Sequence, residues 1–390
     1  MSQSARRSSI SAPLSAPPDP PRLDLRGVLA RWGRLGILGV GGPQAHTALL
    51  REMMVEREQW LSSREFQDAV AATSLLPGPA STQLAIFCAR AVAGVKGAIV
   101  GGLAFIVPGF VLIVLLAELF LAHGRNDAVR GASAGVAAAV VVVIVVAGIG
   151  FARGFADAQG ALLVRSVLYA VAGAAATVSL GPWVLAVLLG SGIVEVALRL
   201  RKPAALVWLG STAKLGPLVW TAFKVGGLSF GGGLVIIPLM QHDVVTSHHW
   251  LTDRQFADAV ALGQLTPGPV VLTVSVVGYA VAGVAGAALA AAVAFAPSFA
   301  FVLAGAPYFR QLRERPGPRA FLDGAGPAAV GAIFGAAALL APQAWKEWWQ
   351  PLVVLAAVVA ALLGRSSFFV LVLGLALGLL AAAAGLPLPR

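Results

Sequence analysis

Pro77-Gly78-Pro79 and Pro267-Gly268-Pro269 stand 190 residues apart (267 − 77), and each runs straight into a new apolar segment. A helix cannot pass undisturbed through Pro-Gly-Pro, because two rings remove amide donors and crowd the preceding turn. A helix that restarts beyond such a break presents unpaired amides and the positive end of its dipole to whatever lies in front. An anion is held there without the burial of several full charges. Ser81, Thr82 and Gln83 after the first break, with Thr273 and Ser275 after the second, add neutral donors. Arg90 lies seven residues beyond Gln83, on the same helical face. It reads either as a substrate contact, since a charge in or near an apolar span is functional by default, or as an interfacial arginine snorkelling beside a loop at Lys96. Tyr279-Ala280 at the equivalent place carry no charge, so any role of Arg90 is one-sided. Asp68 and Asp258 are matched, each six residues after a helix N-cap. They read as proton exchangers or as interfacial carboxylates near a helix N-terminus.

The elements that position these residues are duplicated. Residues 60–79 and 250–269 share twelve of twenty positions, ending in the two breaks. Ser62 with Glu65, and Thr252 with Gln255, form capping boxes, and Leu61–Phe66 and Leu251–Phe256 form hydrophobic staples, so a helix starts at the same place in each copy. It can run to Leu76 or Thr266, a length of about 21 Å against a hydrocarbon core of about 30 Å. The breaks therefore fall within the membrane. Gly78 or Gly268 is expected as the next N-cap, with Pro79 or Pro269 at the first helical position. Upstream, Gly41 and Gly42 match Gly231 and Gly232, with Gly233 following. Such glycine density suits irregular backbone lining a wet cavity or tight packing between helices.

The chain is 58% hydrophobic and 12% charged over 390 residues. Soluble domains are about a quarter charged. Windows such as 102–121, 132–150, 287–306 and 368–386 approach the roughly 20 residues needed to cross a bilayer. The fold expected is an all-α polytopic membrane protein of two homologous repeats with roughly 10–13 membrane segments. Residues 1–32 read as a disordered tail, 33–198 as the first repeat, 199–216 as a basic linker and 217–386 as the second repeat. The net charge of +11 sits in loops and tails, a topology signal rather than a nucleic-acid footprint. Residues 1–34 and 199–214 are both basic, which by itself places both repeat starts inside. Polar stretches 51–65 and 241–255 read as solvated interfacial segments. His242, His248 and His249 lack a ligand spacing, and lone Cys88 excludes an internal disulfide, so no metal site is expected. Without a Walker A sequence or a hydrolase or redox constellation, the protein is not expected to be an enzyme or to use ATP directly.

With these residues in view, the chain resembles the chromate ion transporter family in its long two-domain form. The resemblance is carried by Val40-Gly41-Gly42-Pro43-Gln44-Ala45-His46, Trp60-Leu61, Phe66-Gln67-Asp68, Pro77-Gly78-Pro79 and Phe105-Ile106-Val107-Pro108. The second half repeats it in Phe230-Gly231-Gly232-Gly233, Trp250-Leu251, Phe256-Ala257-Asp258, Pro267-Gly268-Pro269 and Phe295-Ala296-Pro297. Val40 replaces the usual aromatic and Gly233 the usual proline. The resemblance implies secondary active export of chromate across the cytoplasmic membrane, hence chromate resistance, with halves inverted relative to each other. Sulfate, alike in shape and charge, is the alternative substrate, and an anion channel the alternative mechanism. The partners implied are chromate or sulfate, the bilayer, protons as coupling ion and a second copy of the chain, with no cofactor.

Overall fold

A computed structural model describes residues 23–122, 126–153, 160–180, 184–200, 216–229, 236–305 and 316–389. Those residues form helices joined by short turns, with no strand among them. Helix α1 (Leu25–Leu38) begins inside the stretch read as a tail, because Asp24 caps it by accepting from the Gly27 amide at 2.9 Å. Val28 and Trp32 are then buried one turn apart. The chain breaks at Gly39–Gly41 and restarts as α2 (Gly42–Arg51), continued by a wider π turn over Glu52–Arg57.

Helix α3 (Ser63–Leu75) carries the expected capping box between Ser62 and Glu65. Beyond Pro77-Gly78-Pro79 comes α4 (Ala80–Ala122), whose cap differs by one residue from expectation. The Pro79 carbonyl accepts from the Thr82 and Gln83 amides at 3.0 Å, while Gly78 has φ +115°. Gly78 is the left-handed corner, so Pro79 takes the capping place.

The long span of α4 is two limbs. At Ala93–Gly94 the backbone leaves helical angles (φ 64°, ψ −158° at Gly94) and the chain reverses. Lys96, expected in a loop, lies on the second limb. α5 (Asp127–Arg153), α6 (Ala161–Ala175, extended by a π turn over Ala176–Leu180) and α7 (Val184–Leu200) complete the first repeat. The second repeat follows the same plan: α8 (Pro217–Leu228), α9 (Ile236–Gln241), α10 (Asp253–Leu265), α11 (Thr273–Gly305), α12 (Pro316–Leu340), α13 (Gln350–Leu362) and α14 (Ser367–Ala383). α10 repeats the capping box with Thr252 and Gln255, and α11 reverses at Ala282–Gly283. Among the described residues, five helices are long and apolar enough to cross a membrane, and α13 and α14 are shorter apolar ones.

The repeats run in opposite directions. Along the touching limbs of α4 and α11, Ala98 clusters with Val302, and a Cβ at Gly102 would meet Phe299. Contact positions thus rise on one limb as they fall on the other. A two-fold that reverses a helix must lie perpendicular to it, so for spanning helices it lies in the membrane plane. The Leu23 amide donates to the Val92 carbonyl at 3.1 Å, placing the start of α1 and the α4 reversal on one face. Arg254 at the start of α10 donates to the Arg130 carbonyl at 3.2 Å and to Pro389 at 2.6 Å, on the opposite face. Basic flanks alone put both repeat starts on one side, and the helix contacts overturn that.

The repeats are also interlocked. α5 packs on α13 and α14 of the other repeat, and α12 packs on α6 and α7. At the α5–α14 crossing a Cβ on Gly135 would lie 2.1 Å from the Gly374 carbonyl, so only glycine fits. Lipid tails are as apolar as leucine, so such helices are held by close backbone packing rather than by the hydrophobic effect. Leu115, Val171, Leu355 and Leu380 stay exposed on outer faces, as a lipid-facing surface requires.

Candidate functional site

Each Pro-Gly-Pro tip is tied to the other repeat. The Gly78 amide donates to the Ser229 carbonyl at 2.9 Å, and the Gly268 amide donates to the Gly39 carbonyl at 2.9 Å. Ser229 and Gly39 are the residues that follow α8 and α1. Gly78 and Gly268 both have positive φ, which turns each tip's amide towards the opposite half. Close approach continues at Gly109, where a Cβ would lie 2.1 Å from the Pro267 carbonyl.

Beside the first tip lies a cavity of about 600 Å³ between α2, α3 and the start of α4. Its buried end carries Thr73 and Ser81, and its exposed rim carries Arg51 and Gln67. Pro43, in the first turn of α2, and Ala80, the first residue of α4, both line it. Two helix N-termini therefore face one space. The Thr82 and Gln83 amides are taken by the Pro79 carbonyl, and Pro43 has none. The amides left at these two starts are those of Gly42, Gln44, Ala80 and Ser81, each at the positive end of its helix dipole. Gly41 (φ +111°) and Gly42 (φ +79°) make the corner that aims α2 there.

His46 of α2 is buried at the same end. Its Nε2 donates to the Gly39 carbonyl at 2.8 Å, and its Nδ1 lies 3.2 Å from Ser81 Oγ. The ring also meets Phe105 edge-on at 5.0 Å. Gly39 thus receives two donors, one from His46 and one from the second tip.

Residues expected to act together divide between two faces of α4. Ser81 faces the cavity, whereas Gln83 turns inward, donating from Nε2 to the Pro77 carbonyl at 2.7 Å. Gln83 Oε1 and Thr82 Oγ1 are buried without a protein partner, as are the hydroxyls of Ser229, Ser275 and Ser298. A Cβ on Gly78 would lie 2.6 Å from Gln83 Nε2 and 3.1 Å from both the Gly226 carbonyl and Ser298 Oγ. The first tip is therefore polar. Around the second tip stand Gly39, Gly109 and Leu272, and Thr273 Oγ1 donates to its own Val270 carbonyl at 2.7 Å. Pro267 and Pro269 frame that apolar junction, and Gly231, Gly232 and Gly233 lie outside the described residues.

Arg90 reaches neither tip nor cavity. Its Nη1 donates to the Val302 and Leu303 carbonyls at 2.8 and 2.5 Å, satisfying the last turn of α11. Asp68 is half-buried on α3, whereas Asp258 is buried on α10, with Ser133 and Arg254 as polar neighbours and Oδ1 unpartnered. α10 packs beneath α5 and α14 and is buried from Phe256 to Gln264. The matching face of α3 lines the cavity instead, so the two vestibules are open and closed respectively.

The roles of three residues escaped the sequence reading. Asp243, read as solvated, is buried and pairs with Lys224 of α8 while accepting from Thr221 at 2.8 Å. A lone lysine inside a glycine-rich apolar stretch was the available signal. His46 and Ser298 are the others; comparing the copies position by position marks both, since Ser298 stands where the first repeat has Gly109. Glu195 forms an i, i+4 pair with Arg199 at 2.8 Å, and Arg165 and Tyr169 join it.

Inverted repeats whose broken helices are each tied into the opposite half are the architecture of a multi-pass transport protein. A family model described as chromate transporter matches residues 27–196 and 216–382. The chain belongs to the chromate transporter family. It is 34% identical over 361 residues to the chromate transport protein of Cupriavidus metallidurans, covering 88% of each chain. It is 30% identical over 346 residues to the probable chromate transport protein of Synechococcus elongatus, covering 84% of this chain and 87% of that one. The chromate transport protein of Pseudomonas aeruginosa is 30% identical over 348 residues, with 80% of each covered. No solved structure matches the chain.

Proposed function

We propose that the protein is a secondary active carrier that exports chromate from the cytoplasm across the inner membrane and so confers chromate resistance. The observation that carries this is the convergence of the α2 and α4 N-termini on the Ser81 end of the cavity. A tetrahedral dianion placed there receives amide and hydroxyl donors with no cationic side chain at the contact. The names of the relatives supply chromate as the ion, and sulfate fits the same donors.

Direction is supported by how the fold sorts its bases. Arg26, Lys96, Arg153, Arg199, Arg319 and Arg365 cluster on the face where α1 begins. The opposite face has Arg130 and Arg254, both engaged with carbonyls, and Lys346. An excess of Lys and Arg marks the cytoplasmic side. The cavity opens on that side, so it loads from the cytoplasm. The membrane potential favours outward movement of a dianion by about 2.3 kcal/mol per charge per 100 mV. Proton exchange at Asp258, with Asp68 as its half-buried counterpart, adds a second driving ion.

The test is chromate uptake into inside-out vesicles with and without excess sulfate and an imposed potential. Saturable, sulfate-competed uptake driven by the potential is expected. Unitary conductance without saturation would make the protein a channel instead.

A further inference from the structure

His46 is a buried titratable group that touches both the anion end of the cavity and the contact between the repeats. Nε2 faces a carbonyl oxygen, which only accepts, so that nitrogen carries a hydrogen. Nδ1 faces the Ser81 hydroxyl, which can donate or accept. Both contacts therefore survive whether the ring is neutral or cationic. What changes is the direction of the Ser81 bond. Beside a neutral ring, Ser81 Oγ–H donates to Nδ1 and its hydrogen is unavailable to the cavity. Beside a cationic ring, Nδ1–H donates to Ser81 Oγ and the hydroxyl hydrogen turns towards the cavity.

From this geometry we infer that His46 couples proton uptake to oxyanion binding, by freeing the Ser81 hydroxyl as a donor and adding one positive charge behind it. It acts through Ser81 and the field, as a positioning residue, and the inference rests on the oxyanion reading of the cavity. The proton comes from cavity water and stays on Nδ1 while the anion is bound.

Other charges near the ring are engaged elsewhere. On α2, Arg51 lies at the rim and pairs with Glu56 at 3.5 Å. Arg34 of α1 is exposed, and Arg90 of α4 is held by the α11 carbonyls. Asp68 of α3 is half-buried on the helix that forms the opposite cavity wall. The second tip, on the far side of Gly39, brings Pro267, Gly268 and Pro269 and no charge. The second repeat has Ile236 where His46 stands in the first, so the device belongs to one cavity only.

The test measures chromate KM in proteoliposomes between about pH 5.5 and 8.5, across the histidine range, for the wild type and His46→Gln. Chromate's own protonation acts equally on both, so their ratio isolates the ring. The wild type should bind roughly tenfold tighter than His46→Gln at the acid end, as one lost charge-assisted contact implies. At the alkaline end the two should converge. A ratio constant with pH, with robust flux in both, overturns the role of His46 and leaves the carrier standing. Absence of chromate flux in the wild type would instead remove the oxyanion reading itself. If His46→Gln does not fold, proton uptake by the Asp258→Asn protein on adding chromate, corrected for the free ion, decides: uptake supports the inference and none overturns it.

Discussion

The Gly78 amide donates to the Ser229 carbonyl across the two repeats, and Gly268 repeats the bond to Gly39 at the same 2.9 Å. The exchange is reciprocal: each half's break is satisfied by the end of the other half's first helix. Two half-length elements, unable to complete their own hydrogen bonding at membrane depth, thereby complete each other's. Around Gly78 the junction is polar and lies beside an open cavity, while around Gly268 it is apolar and enclosed. The same backbone plan thus borders an open cavity on one side and an enclosed apolar junction on the other.

The two junction glycines should differ in tolerance. Both have positive φ, a conformation that costs a non-glycine residue about 1–3 kcal/mol. Only at Gly78 would a Cβ also meet Gln83, Gly226 and Ser298, whereas at Gly268 the nearest atom is 3.6 Å away. Thermal unfolding in detergent should show Gly78→Ala losing clearly more stability than Gly268→Ala. Equal losses would mean that crowding at the first tip is relieved without cost.

Arg90 acts as a clamp between repeats. Arg90→Ala should cost stability by about 1.5–3 kcal/mol, the range for hydrogen bonds to a charged group, with chromate KM changed less than about twofold. A large rise in KM at unchanged stability would return Arg90 to the substrate.

The Lys224–Asp243 pair should show strong coupling in a double-mutant cycle. Removing one partner leaves a buried charge and costs about 3–5 kcal/mol, whereas removing both is close to neutral. Lys224→Met and Asp243→Asn should each lower the unfolding midpoint, and the double variant should recover most of it. Additive losses would show that the two groups are independently solvated.

The duplicated stretch, its capping boxes and the helix breaks at Pro77-Gly78-Pro79 and Pro267-Gly268-Pro269 were readable because local rules govern them. Ser62 and Thr252 cap their own helices, and proline acts on its own turn. The reversal at Ala93–Gly94 was readable only as a loop near Lys96, two residues late, because the residues on both sides are apolar and helix-prone and the packing of one limb on the other fixes the exact turn. The division of Ser81 from Thr82 and Gln83 also depends on tertiary placement, since consecutive helical residues point to different neighbours. Sidedness was legible through the family resemblance and not through charge. Basic flanks suggested parallel repeats, whereas contacts such as Ala98 with Val302 fit the inversion that the resemblance implied.

Asp258, buried with an unpartnered oxygen, should matter more to proton coupling than half-buried Asp68. In proteoliposomes, Asp258→Asn should lose the response of chromate flux to an imposed pH gradient while keeping exchange of chromate for chromate. Asp68→Asn should keep both. Retention of the gradient response by Asp258→Asn would place proton movement elsewhere.

The most direct measurement is chromate uptake into inside-out proteoliposomes by the wild type and Ser81→Ala, with Ser366→Ala as a control far from the cavity. The expected result is saturable uptake competed by sulfate, with KM raised about tenfold or more by Ser81→Ala, as the loss of one anion-facing donor implies, and unchanged by Ser366→Ala. Uptake no greater than in empty liposomes, or a KM that Ser81→Ala leaves untouched, would contradict an oxyanion site at the paired helix N-termini.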